Sequence, residues 1–289
     1  MKLLEGKYAL ITGGGRGIGR AVATEFAKNG ANIAITALEE DELSETADQI
    51  KEHNVEVIYI PADLSKIDGI KFVVNSYFNN FNRCDILVNN AGMSYYSPMS
   101  EVDLTKAEKL FKINLIAYYM MTALILPKMI EQNTGNIIMT SSVHGNMFFN
   151  PNQVVYSSTK AGVTAMCKCL HKELKPYNIQ VNAILPGPIK TKLLEDSAKR
   201  GQMTPDPIAP EMISPIYLFL ASKLSHEGYE GKIVNQYLLF ELLSLLKDEI
   251  NNNSFDIKEL TKKLKDKLKK NLYSLLRENQ ELVEFILKY

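Results

Sequence analysis

Residues 7–19 read KYALITGGGRGIG, and this stretch decides the fold. An apolar run ends in a glycine-rich string, and Ala21, Val22, Phe26 and Ala27 then recur with the spacing of one helix face. The pattern predicts a strand, a tight turn and a helix. Glycines let the backbone turn sharply and approach a ligand, and a helix N-terminus presents free N–H groups to a phosphate. Glycine-rich loops are common, so it is the position between strand and helix that indicates a pyrophosphate site.

Segments typical of strands and of helices alternate along the chain up to residue 185. The predicted strands are 7–12, 32–36, 55–60, 85–88, 136–140 and 179–185, and the predicted helices after the first are 40–53, 66–80, 104–132 and one around Tyr156. This alternation predicts an α/β fold of the Rossmann type, a doubly wound parallel sheet with helices on both faces. Ligands of such sheets bind at the carboxyl ends of the strands. The glycine turn, Asn89-Asn90, Ser142 and Pro186-Gly187 all follow predicted strands, so we expect them to meet at one edge.

The composition of the 289 residues is that of an ordinary globular protein, with 46% hydrophobic and 23% charged residues. The 33 basic and 33 acidic side chains give zero formal net charge, so no global field favours nucleic acid as a partner. Cys84, Cys167 and Cys169 lack a paired spacing, and we expect neither disulfides nor a metal site. The chain shows no leader pattern and no apolar run of about 18 residues, which predicts a cytoplasmic protein without a transmembrane span.

The stretch from Tyr156 to Lys160 reads YSSTK and places a phenol and an ammonium group four residues apart. Residues at this spacing share a face of a helix, so the two groups can meet at one site. A nearby positive charge favours phenolate, and we expect Lys160 to lower the pKa of Tyr156 toward a value useful for acid–base chemistry. The alternative is an ordinary amphipathic helix with a solvated lysine.

Several short motifs occur together in a fixed order between residues 5 and 235. They are the string from Thr12 to Gly19, Asp63, Asn89-Asn90-Ala91-Gly92, Asn114, Ser142, Tyr156 with Lys160, and Pro186-Gly187 followed by Thr191. In this combination the chain resembles the short-chain dehydrogenase/reductase family. The resemblance implies an oxidoreductase that uses NAD(P)H to interconvert a ketone and a secondary alcohol.

The resemblance implies a role in the reaction for four side chains. Tyr156 would exchange a proton with the substrate oxygen, and Ser142, rather than Ser141, would hydrogen-bond and polarise that oxygen. Lys160 would also bind hydroxyls of the nicotinamide ribose. Asn114 would hold a water molecule in a proton relay behind the lysine, although a buried asparagine also serves to satisfy an irregularity of a helix.

The resemblance also implies which residues hold the dinucleotide. They are Thr12, Gly13, Arg16, Gly17, Ile18 and Gly19 in the glycine turn, Asp63, Asn89 and Gly92 around the adenosine, Tyr156 and Lys160 at the nicotinamide ribose, and Pro186, Gly187, Ile189 and Thr191 at the carboxamide. Asp63 would accept a hydrogen bond from the adenine amino group, and its alternative role is a helix cap.

Cofactor preference depends on the charges near the end of the second predicted strand. A 2'-phosphate favours a nearby guanidinium, whereas a free ribose diol favours a carboxylate at that strand end. Arg16 lies in the glycine turn and residues 36–38 contain no acid, so we expect NADPH rather than NADH. Glu39 and Glu40 follow closely and would repel a phosphate, and the alternative for Arg16 is an ordinary surface charge.

Apolar residues near the predicted site suggest the substrate. Met147, Phe148 and Phe149 are expected to form one wall, and segment 192–210 a second wall that closes as a lid, although core packing or a subunit contact would also explain these residues. His144 is expected to be structural. The pocket suits a ketone on an acyl chain, and the chain loosely resembles the 3-oxoacyl carrier-protein reductases, which implies an acyl-thioester substrate and acyl carrier protein as a partner. A sugar, steroid or small-alcohol dehydrogenase and a non-catalytic dinucleotide-binding regulator are the alternatives.

The sequence departs from the family pattern after residue 235. We predict an NADP(H)-binding catalytic domain at 1–235 and a helical extension at 236–289. One helix is predicted from about 237 to 250 and another from 256, in which Leu260, Leu264, Leu268 and Leu272 form a stripe opposite several lysines. We interpret the second helix as packed on the domain, with docking of acyl carrier protein or a membrane surface as alternatives. The resemblance also implies a homo-oligomer.

Overall fold

The structure is a computed structural model that describes residues 2–198, 207–225, 231–236, 239, 276–277 and 279–288. The chain divides into two compact units, Met1–Val234 and Asn235–Tyr289. The first unit contains the sheet and the predicted site.

Seven strands form one parallel sheet in the order β3-β2-β1-β4-β5-β6-β7. The strands are β1 (Tyr8–Thr12), β2 (Asn32–Ala37), β3 (Val57–Pro61), β4 (Ile86–Asn89), β5 (Gly135–Thr140), β6 (Ile179–Leu185) and β7 (Ile233–Asn235). The register pairs Thr12 with Thr36 and Asn89 with Met139, so the carboxyl ends of the central strands lie at the same edge. The strand order reverses direction between β1 and β4, which creates the crevice where such sheets bind ligands. The predicted α/β fold is confirmed.

The helices of the first unit follow the strands in alternation. They are α1 (Gly17–Lys28), α2 (Glu40–Lys51), α3 (Ile67–Asn80), α4 (Leu104–Phe111), α5 (Ala117–Gln132), α6 (Val154–Leu174), α7 (Lys192–Ala198) and α8 (Ser214–Ala221). The segment predicted as one helix over 104–132 contains a π-helical turn at Lys112–Ile116, between α4 and α5. Such a turn inserts a residue into the helix and often marks a functional site.

Both faces of the sheet are covered. Leu10, Leu87 and Ile137 share a core cluster with side chains of α3, α5 and α6. Their neighbours along the strands, such as Ile11 and Ile138, are equally buried and point to the opposite face, since side chains alternate along a strand. On that side α1 packs against α2 and α8. Strands buried on both faces read as continuous apolar runs, which is why the sequence revealed them.

One continuous helical stretch, Leu104–Gln132, is long and apolar enough to cross a membrane by length and composition alone, and it is the only such helix in the part of the chain that the structure describes. A core helix of a globular protein meets the same criterion. Tyr118, Met121 and Ile125 of this stretch belong to the core cluster beneath the sheet. The packing therefore explains its apolar composition.

A buried carboxylate fixes the start of β4 against β1. Asp85 is 3% exposed and accepts hydrogen bonds from Lys7 Nζ at 3.3 Å, Arg83 Nη2 at 2.6 Å and the Tyr8 backbone N–H at 3.0 Å. The ion pair with Asp85 raises the pKa of Arg83. These bonds hold β1 and β4 together at the amino end of the sheet, which is the end opposite the predicted site.

We expect Asp85→Ala to lower the free energy of unfolding by about 2–4 kcal/mol, because it leaves a buried backbone donor and two cations without their acceptor. Urea denaturation followed by circular dichroism measures the change. Asp48→Ala is the matched control, since Asp48 forms an exposed ion pair with Lys51 at 2.8 Å, and it should leave stability nearly unchanged. Equal stability of the two variants would contradict a structural role for Asp85.

The second unit is described over a helix, α9 (Gln280–Lys288), and a few residues before it. Leu282 and Val283 are fully buried, whereas Glu281 is exposed, which is the pattern of an amphipathic helix. The helices predicted over 237–250 and from 256, with the leucine stripe and its lysines, lie outside the described residues.

Candidate active site

A cavity of about 450 Å³ lies at the carboxyl edge of the sheet. The four strand-end motifs meet there, as expected from their positions after predicted strands. The sequence-predicted site residues that line it are Gly13, Arg16, Gly17, Ile18, Asp63, Gly92, Ser142, Tyr156, Lys160, Pro186, Gly187, Ile189 and Thr191. The other four, Thr12, Gly19, Asn89 and Asn114, lie behind this lining.

The glycine turn packs closely against two later segments. Gly17 has a φ of +55°, and a Cβ atom there would lie 3.0 Å from Thr191 Cγ2. Gly13 has a φ of +68°, and a Cβ atom there would lie 2.9 Å from the backbone of Ala91. Both positions require glycine for conformation and for space.

The start of α1 faces this cavity. Its N-cap residue, Arg16, makes no side-chain cap, and the first helical turn carries no acidic residue. The first N–H groups of α1 and the helix dipole are thus available for an anion. The cradle of glycines and the uncapped helix start fit the pyrophosphate of a dinucleotide.

Three of the four residues behind the lining support the residues that line the cavity. Thr12 Oγ1 accepts hydrogen bonds from the backbone N–H groups of Asn90 at 2.9 Å and Ala91 at 3.0 Å, which fixes the end of β4 beside β1. A Cβ atom at Gly19 would collide with the carbonyl oxygen of Gly13. Asn89, predicted to line the adenosine side, instead donates from Nδ2 to Thr122 Oγ1 of α5 at 3.0 Å. The next residue, Asn90, lines the cavity, because successive side chains of a strand point to opposite sides.

Tyr156 and Ser142 both line this cavity. Tyr156 is 8% exposed and Ser142 5% exposed. Burial raises the pKa of Tyr156 well above its ordinary value, while the Ser142 side chain lowers it in part. The pKa of Tyr156 is thus raised, contrary to the expectation that Lys160 would lower it, because burial disfavours the phenolate. Tyr156 is therefore a protonated phenol at neutral pH.

Lys160 is a buried cation beneath the tyrosine. Its Nζ donates to the Thr140 carbonyl oxygen at 2.8 Å and lies 5.4 Å from the ring centroid of Tyr118 and 6.0 Å from that of Tyr156. Burial lowers the pKa of Lys160 to about 7. A group with this pKa exchanges protons readily at neutral pH.

Asn114 lies within the π-helical turn and is fully buried. Its Oδ1 accepts from the Met93 backbone N–H at 2.9 Å, and its Nδ2 donates to the Met93 carbonyl at 2.9 Å and to Thr159 Oγ1 at 3.4 Å. A Cβ atom at Gly92 would lie 3.5 Å from Asn114 Oδ1 and 3.7 Å from Lys160 Nζ. The side chain thus fastens the segment after β4 next to the lysine.

The two serines that follow β5 differ in their surroundings. Ser141 Oγ donates to the Lys160 carbonyl at 2.8 Å and lies 2.9 Å from Thr164 Oγ1, so its hydroxyl ties β5 to α6. Ser142 Oγ faces the cavity and accepts the His144 backbone N–H at 3.1 Å. His144 also lines the cavity, and burial lowers its pKa, which favours the neutral imidazole.

The apolar lining differs from the predicted walls. Met147, Phe148 and Phe149 are 37%, 41% and 74% exposed and do not line the cavity. Apolar character alone did not show which way this loop faces. Met93, Tyr96 and Ile113 line the cavity instead, and the Tyr96 ring stacks on that of Tyr156 with centroids 6.4 Å apart. The signal for Tyr96 was its position just after β4, at a strand's carboxyl end.

The predicted lid is described in part. Leu193 and Leu194 of α7 line the cavity, as expected for a second wall. The Lys190 N–H donates to the Ile208 carbonyl at 2.8 Å, and the Ile208 N–H donates to the Pro188 carbonyl at 3.2 Å. These bonds join the two ends of the segment, while Gly201, Met203 and Pro205 lie outside the described residues.

Asp63 serves the turn before α3 and also lines the cavity. Its Oδ1 accepts from the Ser65 N–H at 2.9 Å and from Ser65 Oγ at 2.6 Å. These bonds lower the pKa of Asp63, with further contributions from Lys66 and Lys109. Asp63 therefore closes the turn before α3 and does not cap the helix, whose N-cap is Lys66, and its carboxylate stays ionised beside the cavity.

No three His, Cys, Asp or Glu side chains lie where they could share a metal ion, within the ranges that the structure describes. The site is defined by a glycine cradle, a buried phenol and a buried ammonium group on a doubly wound sheet. These are the parts of a dinucleotide-dependent oxidoreductase.

Comparisons with known proteins identify the family. The profile described as short chain dehydrogenase matches residues 7–201. A 3-oxoacyl-acyl-carrier-protein reductase of Aquifex aeolicus (strain VF5) is 35% identical over 230 residues, which are 77% of this chain and 92% of the relative. The chloroplastic NADPH-dependent aldehyde reductase 1 of Arabidopsis thaliana is 36% identical over 248 residues, 80% of this chain and 85% of the relative. The chain belongs to the short chain dehydrogenase family, whose members are oxidoreductases that bind a nicotinamide dinucleotide.

Solved structures agree with this assignment. A levodione reductase superposes with a TM-score of 0.75 at 27% identity, covering 81% of this chain and 96% of the other. A carveol dehydrogenase from Mycobacterium avium, in complex with NAD, superposes with a TM-score of 0.75 at 25% identity, covering 82% and 98%. The named activities of these relatives differ, so the comparisons establish the family and do not assign a substrate to this chain.

Proposed function

We propose that the chain is an NADPH-dependent carbonyl reductase that converts a ketone to a secondary alcohol. The meeting of Ser142, Tyr156 and the buried Lys160 in one cavity carries this proposal, with Lys160 Nζ 6.0 Å from the centroid of the Tyr156 ring. A protonated phenol at neutral pH is a proton donor, which suits reduction of a carbonyl. The first substrate class is a 3-oxoacyl thioester, because relatives of this name match the chain over 92% of their length.

Each residue has a role that its surroundings support. A nicotinamide held in this cavity would supply the hydride for the carbonyl carbon. Tyr156 donates its phenolic proton to the carbonyl oxygen, and Ser142 Oγ holds that oxygen by a hydrogen bond. This bond would stabilise the charge that develops on the oxygen. Alcohol oxidation would use the same groups in reverse and would need the phenolate.

The dinucleotide would be held by groups along the cavity. The glycine turn and the start of α1 would hold the pyrophosphate, Asp63 and Gly92 would border the adenosine, and Lys160 would bind ribose hydroxyls. Ile189 and Thr191 would hold the carboxamide. Asn114 would support Lys160 by keeping the Met93 backbone in place and would complete a proton relay behind it.

We expect Ser142→Ala to lower kcat by about 10²-fold, the usual loss for one donor to a developing oxyanion. Ser141→Ala is the control: Ser141 also lines the cavity, but its hydroxyl donates to the Lys160 carbonyl and lies 2.9 Å from Thr164 Oγ1. That variant should lose thermal stability and retain most of its kcat. Steady-state kinetics and thermal melting of both variants measure the difference, and a larger kcat loss in Ser141→Ala would reverse the assignment of the two serines.

The experiment that tests the function is a substrate panel followed by absorbance of the reduced nicotinamide. The panel contains a 3-oxoacyl thioester on acyl carrier protein, the same acyl group on a small thiol, a cyclic diketone, a steroid, a sugar and an aldehyde, each with NADPH and with NADH. We expect the highest kcat/KM for a 3-oxoacyl thioester with NADPH. A lower KM for the carrier-linked form would support acyl carrier protein as a partner.

Two outcomes favour the alternatives. Turnover confined to the sugar, the steroid or a small alcohol would assign another substrate class of the same family. Dinucleotide binding without turnover on any substrate would favour a non-catalytic regulator. A cytoplasmic location and a homo-oligomer complete the proposal, and exposed apolar side chains on α4 and α5, such as Leu104 and Tyr119, support self-association. Light scattering in solution measures the oligomer.

A further inference from the structure

The wall of the cavity next to the glycine turn contains a short ion pair. Arg16 Nη1 donates to Glu42 Oε1 at 2.6 Å, and both residues line the cavity. Glu42 belongs to the first turn of α2, which is close to the glycine turn: a Cβ atom at Gly15 would lie 3.1 Å from Glu42 Cβ. The position of the carboxylate beside Arg16 therefore follows from the packing of α2.

The backbone around this pair is fixed by further bonds. Thr46 Oγ1 donates to the Gly15 carbonyl at 3.0 Å, and Arg20 Nη2 donates to the same oxygen at 2.7 Å. The turn, α1 and α2 are thus joined at one carbonyl. Arg16 and Glu42 face each other across a preformed corner.

The charges at this corner bear on cofactor choice. Between residues 13 and 42 the cavity is lined by one cation, Arg16, and by two carboxylates, Glu39 and Glu42. A 2'-phosphate needs a guanidinium and is repelled by carboxylates, whereas a ribose diol carries no charge. The guanidinium that would bind the phosphate already has an anionic partner.

We propose that Glu42 sets the cofactor selectivity of this enzyme by competing with the 2'-phosphate for Arg16. The inference rests on the proposed NADPH-dependent function. Binding of NADPH must break or share the Arg16–Glu42 pair, and binding of NADH leaves it intact. Glu42 consequently holds the NADPH preference below what Arg16 alone would give.

Dissociation constants of NADPH and NADH, measured by nicotinamide fluorescence, test the proposal. Glu42→Gln should bind NADPH about 5- to 10-fold more tightly, the scale of removing one charge contact, and NADH within about twofold of the original value. Isothermal titration with adenosine 2',5'-bisphosphate and with AMP should show the same contrast, which locates the effect at the 2'-phosphate.

The matched control is Glu45→Gln. Glu45 lies on the same helix, carries the same charge and forms an ion pair with Arg20 at 2.9 Å, but it does not line the cavity. This variant should change neither constant by more than about twofold, because the charge removed is exposed and lies outside the lining of the cavity. Arg16→Ala should weaken NADPH about 10-fold, and adding Glu42→Gln to it should then have little effect.

Equal changes for NADPH and NADH in Glu42→Gln, or weaker NADPH binding, would overturn the inference and make Glu42 a support that orients Arg16. Glu42→Asp, with a shorter side chain, serves if the glutamine variant fails to fold, and it should shift selectivity in the same direction. Absence of any dinucleotide binding by the unaltered protein would instead overturn the proposed function. The two failures are therefore distinguishable.

Discussion

Tyr156→Phe should lower kcat by about 10³-fold while the dissociation constant of NADPH stays within about twofold of the original value, because the variant loses only the phenolic hydroxyl and with it the proton donor. The ring, its 6.4 Å stacking on Tyr96 and the packing of α6 are retained. Stopped-flow mixing with the best substrate of the panel measures kcat, and nicotinamide fluorescence measures binding.

Tyr119→Phe is the matched control for this result. Tyr119 is 64% exposed on α5 and lies outside the lining of the cavity, so the same atom is removed without consequence for the reaction. Retention of full turnover by Tyr156→Phe would mean that another group donates the proton. The assignment of the catalytic acid would then be wrong even though the family is not in question.

Lys160→Met should lower kcat by about 10²-fold and also make the protein more stable at neutral pH. The ordinary lysine pKa is 10.5, and burial lowers that of Lys160 to about 7. Between these values the unfolded chain holds a proton that the folded chain has released, so stability rises with pH across this window. Below pH about 7 both states carry the charge, and the folded state bears its full desolvation cost.

The measurement is urea denaturation of both proteins at pH 7 and pH 9.5. The stability of the original protein should rise by about 2–4 kcal/mol relative to Lys160→Met over this interval, since the variant lacks the titrating group. Taking the difference between the two proteins removes the contribution of other groups. A constant difference across the interval would show that Lys160 keeps an ordinary pKa, and a fall would reverse the sign.

The sequence was sufficient for six of the seven strands because parallel strands buried on both faces are apolar throughout, as in Ile179–Leu185, whereas the short strand β7 was not predicted. The sequence also predicted that the strand-end motifs meet at one edge, because the alternation of strands and helices implies a parallel sheet. It did not reveal the π-helical turn at Lys112–Ile116, because the apolar pattern continues through the inserted residue. Nor did it show that Asn90, rather than Asn89, lines the cavity, which depends on the residue at which β4 ends.

The electrostatic properties of the site were harder to predict from the sequence than the positions of its residues. The spacing of Tyr156 and Lys160 indicated that they share a site. The pKa of the phenol depends on burial, which is set by the tertiary fold and cannot be read from this spacing. The Arg16–Glu42 pair joins residues 26 apart and arises from the packing of α2 on the glycine turn. Glu39 and Glu40 were recognised from sequence as opposing charges, and the carboxylate that reaches Arg16 comes from the next part of the helix.

The contact between Gly17 and Thr191 has a consequence for synthesis of the chain. The two residues are 174 positions apart, yet they form opposite sides of one cradle. At a translation rate of about 5–20 residues per second, the second side leaves the ribosome about 10–35 s after the first. A nascent chain therefore exposes the glycine turn well before it can bind a dinucleotide, and the cofactor can stabilise only the chain that has passed this point.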